Sequence, residues 1–131
     1  LIARPGMIVG LGVDLVAVDR IAKLIDRWGD RFVGRIFTDK ERAYCTRFRN
    51  AAERFAARWA AKEAFTKAMG GANGVDWREV EVAESTSGAP ILVTTGKGTA
   101  VLDQLGVRRQ HLTLTHTLGL AVAVVILEGQ G

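Results

Sequence analysis

The segment that most restricts this chain runs from Ala51 to about Met69, AAERFAARWAAKEAFTKAM. It holds eight alanines and no glycine or proline, and Gly70-Gly71 closes it, so it reads as one long helix. Asn50 with Glu53 three residues later reads as the capping box that opens it. Ala56, Ala60, Glu63 and Lys67 fall at i, i+4, i+7 and i+11 and therefore line one face. Small alanines below an acid and an amine make a face with room beside it. Glu63 and Lys67 also satisfy the plain reading of an i,i+4 ion pair on the solvent side, worth a few tenths of a kcal/mol.

Around that helix the hydrophobic period changes twice. Met7–Leu15 (MIVGLGVDL) is a compact apolar run and reads as a strand, with Ile8, Gly10, Gly12 and Asp14 expected on one face. Val18, Ile21, Ile25 and Trp28 recur at helical spacing until Gly29 stops them. Thr38 with Glu41 is a capping box for a further helix. Beyond Gly74, residues 79–84 and 91–95 alternate around the turn Ser87-Gly88-Ala89-Pro90 and read as a hairpin. Thr99–Leu105 reads as a short helix, and His111–Thr115 and Leu120–Leu127 as the last strands. The order is one strand, three helices, a hairpin, a helix and two strands. That is an α+β domain with a small, mostly antiparallel sheet and helices packed on it.

At 131 residues the chain is expected to be one domain spanning residues 7–131, with Leu1–Gly6 a dispensable leader. Cys45 is the only cysteine, which excludes an intrachain disulfide, and His111 and His116 are too few for a clustered zinc site. The longest clean apolar run, Leu118–Leu127, is half of what a bilayer-spanning helix needs, so no membrane association and a cytoplasmic location are expected. The net charge is +4, and the segment Arg31–Arg58 alone carries +5. Such a basic surface suits a polyanionic partner, although a solvated helical face explains it as well.

Few residues have a pattern suited to chemistry. Asp14 ends an apolar strand, where a carboxylate must be capped, paired or metal-bound. If Asp14 and Glu63 converge, two hard oxygen ligands suit Mg²⁺, which keeps waters and lets substrate phosphates complete its shell. Lys67, one turn from Glu63, would then face developing phosphate charge. Arg54, Arg58 and Lys62 form a second stripe on the same helix, for phosphates or for solubility. His116, beside Thr117 in LTLTHT, is either a structural histidine or a phosphate contact. Cys45 reads as inert, and GGANG at 70–74 is no P-loop because no GK[ST] follows.

These residues fall in blocks that resemble the holo-[acyl-carrier-protein] synthase family of 4′-phosphopantetheinyl transferases. MIVGLGVDLV resembles its opening strand, FTDKE the start of its second helix, and RFAARWAAKEAFTKAMG its signature helix. LTLTHT and AVAVVILE resemble its closing hairpin, with GAPI as a shorter match. The resemblance implies transfer of 4′-phosphopantetheine from coenzyme A to a serine of apo acyl carrier protein, releasing 3′,5′-ADP, in support of fatty acid biosynthesis. It implies Asp14 and Glu63 as Mg²⁺ ligands, Lys67 as a phosphate and leaving-group contact, and Glu63 or an activated water as the proton acceptor. Arg58, Lys62, His116 and Thr117 become coenzyme A contacts. Arg20, Arg31 and Arg35 become docking positions for the acidic carrier, and a homotrimer with sites shared between neighbours is expected. GGANG stands where the family usually has G-T-G, Thr113 and Thr115 stand where serine is common, and Leu1–Gly6 has no counterpart.

Two other classes fit less well. A nucleic-acid module would need aromatics or arginines arranged for bases, and no such arrangement is present. A purely structural oligomerising domain would leave Asp14 and Glu63 unexplained.

Overall fold

The computed structural model describes residues 6–130, so Leu1–Pro5 of the expected leader lie outside the described residues. Gly6, the last residue of the expected leader, opens the first strand opposite Gln130. The elements are β1 (Gly6–Ala17), α1 (Val18–Trp28), α2 (Asp30–Ile36), α3 (Asp39–Cys45) and α4 (Ala51–Ala68). A 3-10 turn (Trp77–Glu79), β2 (Val80–Glu84), β3 (Pro90–Thr94), α5 (Gly96–Gln104), β4 (Val107–Thr117) and β5 (Leu120–Gln130) follow. The architecture is the expected α+β, with an antiparallel sheet in the order β1-β5-β4 and a separate β2-β3 hairpin.

Helix α4 lies across the inner face of the larger sheet, and small side chains set the spacing. Ala56, Ala60, Ala61 and Ala64 on α4 and Ala121, Ala123, Val125 and Leu127 on β5 are fully buried. Strand β1 comes closer still. A Cβ on Gly12 would sit 1.8 Å from the Ala64 carbonyl oxygen, and one on Gly10 would sit 1.9 Å from that of Ala68. Only glycine permits that contact, so the GxG of the opening strand presses its backbone onto the helix.

Three local expectations are corrected. Ile8 does not share a face with Gly10, because the β1–β5 register slips between them, and Ile8 stands 69% exposed. Four helices rather than three precede the hairpin. The short α2 was hidden by Gly29 before it and Gly34 within it. The Thr38–Glu41 capping box forms, whereas Asn50 makes no side-chain cap. A capping box that the sequence reading overlooked forms at Asp76–Glu79 and fixes the 3-10 turn.

The other face of the sheet is uncovered. Leu11, Val13 and Leu15 on β1 are each more than half exposed, and they alternate with the buried Gly12 and Val16. Across the sheet Val13 pairs with Val124, and Val124 with Thr113.

Candidate active site

The glycine contact between β1 and α4 decides where the acids go. Gly10 lies over Ala68 and Gly12 over Ala64, so Asp14, two residues further along the strand, arrives beside the turn of α4 that carries Glu63 and Lys67. Lys67 donates from Nζ to the Val13 carbonyl at 3.0 Å and to Asp14 Oδ1 at 3.2 Å. Asp14 is not a helix cap, since Ala17 holds that position in front of α1. The expected Glu63–Lys67 ion pair does not form among the described residues, because Lys67 reaches across to the strand instead.

Among the described residues Glu63 is thereby left without a cationic partner at contact distance. Burial raises its pKa, and the Asp14 charge raises it further, while Lys67 and Arg20 offset part of that. Two carboxyls near enough to repel each other, with a lysine amine and an arginine at their rim, make a seat for a divalent cation. The donor set fits Mg²⁺, which takes one or two protein carboxylates and keeps its waters. Among the described residues no group of three or more His, Cys, Asp and Glu side chains is available to a metal, which disfavours a closed all-protein cage.

A second constellation gathers at the first half of α4. Arg58 and His116 line one cleft of about 210 Å³ together with Tyr44, Arg54, Glu53 and Pro90. Arg58 is 5% exposed, and its guanidinium stacks 4.2 Å from the Tyr44 ring centroid. The Nε atoms of Arg54 and Arg58 are buried without a hydrogen-bond partner. Among the described residues the Arg58 guanidinium has one acidic neighbour within 4 Å, Glu84 at 3.8 Å. His116 Nδ1 meets Glu53 Oε1 at 2.6 Å. Buried, poorly satisfied guanidinium groups at a cleft mark a place for an oxyanion. Glu53 and Tyr44 were overlooked in the sequence. Glu53 was read as a helix cap, yet its carboxylate turns to His116.

The remaining expected contacts divide. Lys62 is turned inward, away from the Arg58–His116 cleft. Its ammonium is 1% exposed, 2.7 Å from Glu41 Oε1, and it donates to the carbonyl oxygens of Val80 and, at 2.9 Å, Trp77. Burial pulls its pKa down while Glu41 pushes back. Its place in the stripe with Arg54 and Arg58 suggested a surface cation, but hairpin β2-β3 covers that part of the helix. Thr117 follows His116 at the end of β4, so their side chains alternate across the sheet. Arg20, Arg31 and Arg35 are all exposed. Arg31 and Arg35 rim an apolar groove of about 630 Å³ floored by Leu24, Trp28, Phe32 and Ile36. Arg20 lines the adjoining groove with Lys23 and Arg27. Cys45 is buried and its pKa is pushed up to about 11 by burial, so the thiol is inert as read.

The family model of the 4'-phosphopantetheinyl transferase superfamily matches residues 10–122, a span containing both constellations. The chain belongs to that superfamily. It is 52% identical to the holo-[acyl-carrier-protein] synthase of Koribacter versatilis, over 93% of this chain and 99% of that protein. Among solved structures it is similar to the holo-[acyl-carrier-protein] synthase of Neisseria meningitidis, at 30% identity and a TM-score of 0.84, over 92% of this chain and 98% of that one. It is also similar to that of Bacillus anthracis, solved in complex with CoA (3',5'-ADP), at 35% identity and a TM-score of 0.77, over 95% and 99% of the two chains. The protein is thus an enzyme, a transferase.

Proposed function

We propose that this enzyme transfers 4′-phosphopantetheine from coenzyme A to a serine of apo acyl carrier protein, with Mg²⁺ held by Asp14 and Glu63, and serves fatty acid biosynthesis in the cytoplasm. The observation that carries the reading is the approach of Asp14 to Glu63 and Lys67 through the glycine contact of β1 on α4. The relatives in K. versatilis and N. meningitidis are named for acyl carrier protein, and the B. anthracis structure contains the coenzyme A nucleotide.

In the reaction, the carrier's serine oxygen attacks the phosphorus that bears pantetheine. The bond to the bridging diphosphate oxygen breaks and 3′,5′-ADP leaves. A divalent cation bound at the acid pair supplies charge neutralisation on the diphosphate oxygens. Lys67 spends two of its three N–H donors on Val13 and Asp14, and its side chain, 54% exposed, keeps one for a phosphate oxygen. Glu63 or a water activated at the acid pair accepts the serine proton. Arg58 and His116 bind a phosphate of the nucleotide in their cleft. The basic rim of α1 and α2 orients the acidic carrier.

The acid pair and the Arg58–His116 cleft are separate groups of residues, an arrangement that suits sites completed by neighbouring chains. The uncovered apolar face of the sheet offers a self-association surface of the kind that soluble monomers rarely expose. Both features support a homotrimer in which neighbouring chains contribute to each site. No helix among the described residues is long and apolar enough to cross a membrane.

The test is to mix the protein with apo acyl carrier protein, coenzyme A and Mg²⁺ and to weigh the carrier by mass spectrometry. The carrier should gain one phosphopantetheine, and Asp14→Ala or Glu63→Ala should abolish the gain with an unchanged circular dichroism spectrum. No gain with the native enzyme refutes the transfer, and full activity in either variant refutes the metal site.

A further inference from the structure

We propose that Trp59 is a positioning residue whose indole face holds the Arg20 guanidinium at the rim of the acid pair, coupling the carrier-facing surface of α1 to the reacting centre. The proposal rests on the transferase reading above. Trp59 precedes Glu63 by four residues on α4, so the two side chains are neighbours on one face of the helix. The Arg20 guanidinium carbon lies 5.7 Å from the Trp59 ring centroid. Arg20 has no carboxylate within 4 Å among the described residues, and its neighbour Asp19 is taken by Lys23 at 2.9 Å. A cation–π contact is therefore what fixes this exposed arginine.

The ring itself is held from behind. Trp77 stacks on it with centroids 4.8 Å apart and planes at 21°, and Phe32 of α2 leans on it at 5.8 Å. Trp77 is in turn fixed by the Asp76–Glu79 capping box and by Lys62, which binds its carbonyl. The indole has little freedom to turn, and it touches residues of both helices that carry the basic rim. Trp59 lies one helical turn before Glu63, so an arginine seated on its ring stands beside that turn, and among the described residues it makes no direct ion pair there. A freely swinging guanidinium next to two carboxylates would form a bidentate bond and occupy oxygens that a cation needs. The flat face of Trp59 supplies a competing seat and keeps the arginine directed outward, toward an anionic carrier.

The experiment is a double-mutant cycle on the full enzyme, reading kcat and KM for apo carrier and for coenzyme A separately. Trp59→Leu should raise the carrier KM roughly three- to tenfold, the range of a partly desolvated cation–π contact, and leave the coenzyme A KM within about twofold. In the Arg20→Ala background the same change should have no further effect. Trp59→Phe, which keeps a ring face, should recover most of the loss. Arg20→Lys tests the idea without touching the core. It keeps the charge but stacks less well, and should also raise the carrier KM. Additive losses in the cycle, a coenzyme A KM that rises as much as the carrier KM, or an Arg20→Lys enzyme equal to the native one would overturn the proposal. Native enzyme that transfers normally beside an additive cycle refutes only the coupling, whereas native enzyme that transfers nothing refutes the transferase reading itself.

Discussion

Replacing Gly12 by alanine tests the contact on which the acid pair depends. The added Cβ would lie 1.8 Å from the Ala64 carbonyl oxygen, and ordinary van der Waals contact begins near 3.4 Å. The obstacle is helix backbone, so no side chain can swing aside, and β1 must retreat from α4 by roughly 1.6 Å. Overpacking of this kind costs about 1–3 kcal/mol. For a chain of 131 residues that is a fall in Tm of roughly 4–12 °C. Asp14 sits two residues away on the same strand and moves with it, away from Glu63 and Lys67. A misplacement of about 1 Å at a reacting centre costs on the order of 10²-fold in rate. Thermal unfolding by circular dichroism, magnesium titration and carrier-loading kinetics read the three consequences. Gly34→Ala is the control, because nothing lies within 4 Å of the Cβ it adds inside α2. It should be neutral or stabilise by up to about 1 kcal/mol. A Gly12→Ala enzyme with native Tm and native rate would refute the reasoning that close strand–helix contact places the acid.

Three further outcomes follow from the structure. Val13→Arg puts a charge in the middle of the uncovered sheet face and should shift the enzyme to a monomer with little activity, as read by analytical ultracentrifugation; an unchanged oligomer would remove that face from the interface. Lys62→Met leaves Glu41 buried without its cation and should cost about 3–5 kcal/mol in urea unfolding, with Glu41→Gln restoring much of it; an undiminished stability would mean that the pair is not what ties α3 and β2 to α4. The Cys45 thiol keeps its proton in the folded state up to about pH 11, against 9.0 when unfolded. The resulting stability is complete below pH 9 and lost as pH rises through 11. Native enzyme should accordingly resist a thiol-disulfide dye at pH 8 until denaturant is added, and rapid labelling would contradict the burial.

Much of this molecule is written in local patterns. The long helix is legible because an uninterrupted alanine-rich run between Asn50 and Gly70 has no other stable form, and the Thr38–Glu41 box marks its helix start within one turn. The hairpin and the closing strands are legible because alternation has a period of two. Asp14, Glu63 and Lys67 were identifiable as chemistry-bearing residues on the right elements. What failed were local pairings that a partner distant in sequence displaced. Glu53 left its expected cap for His116, Lys67 left Glu63 for Asp14, and Lys62 became an internal strut under the hairpin.

Propensity, period and residue type, which act over a few residues, settle the elements and the candidate acids of this protein from its sequence alone. Tertiary structure decides which charges meet. Two glycines let one strand reach the backbone of one helix, and a hairpin covers one lysine while leaving its neighbours open. The aromatic stack of Trp59 on Trp77 joins α4 to a turn 18 residues further on. These are distances between segments, and they are set only once the core has packed.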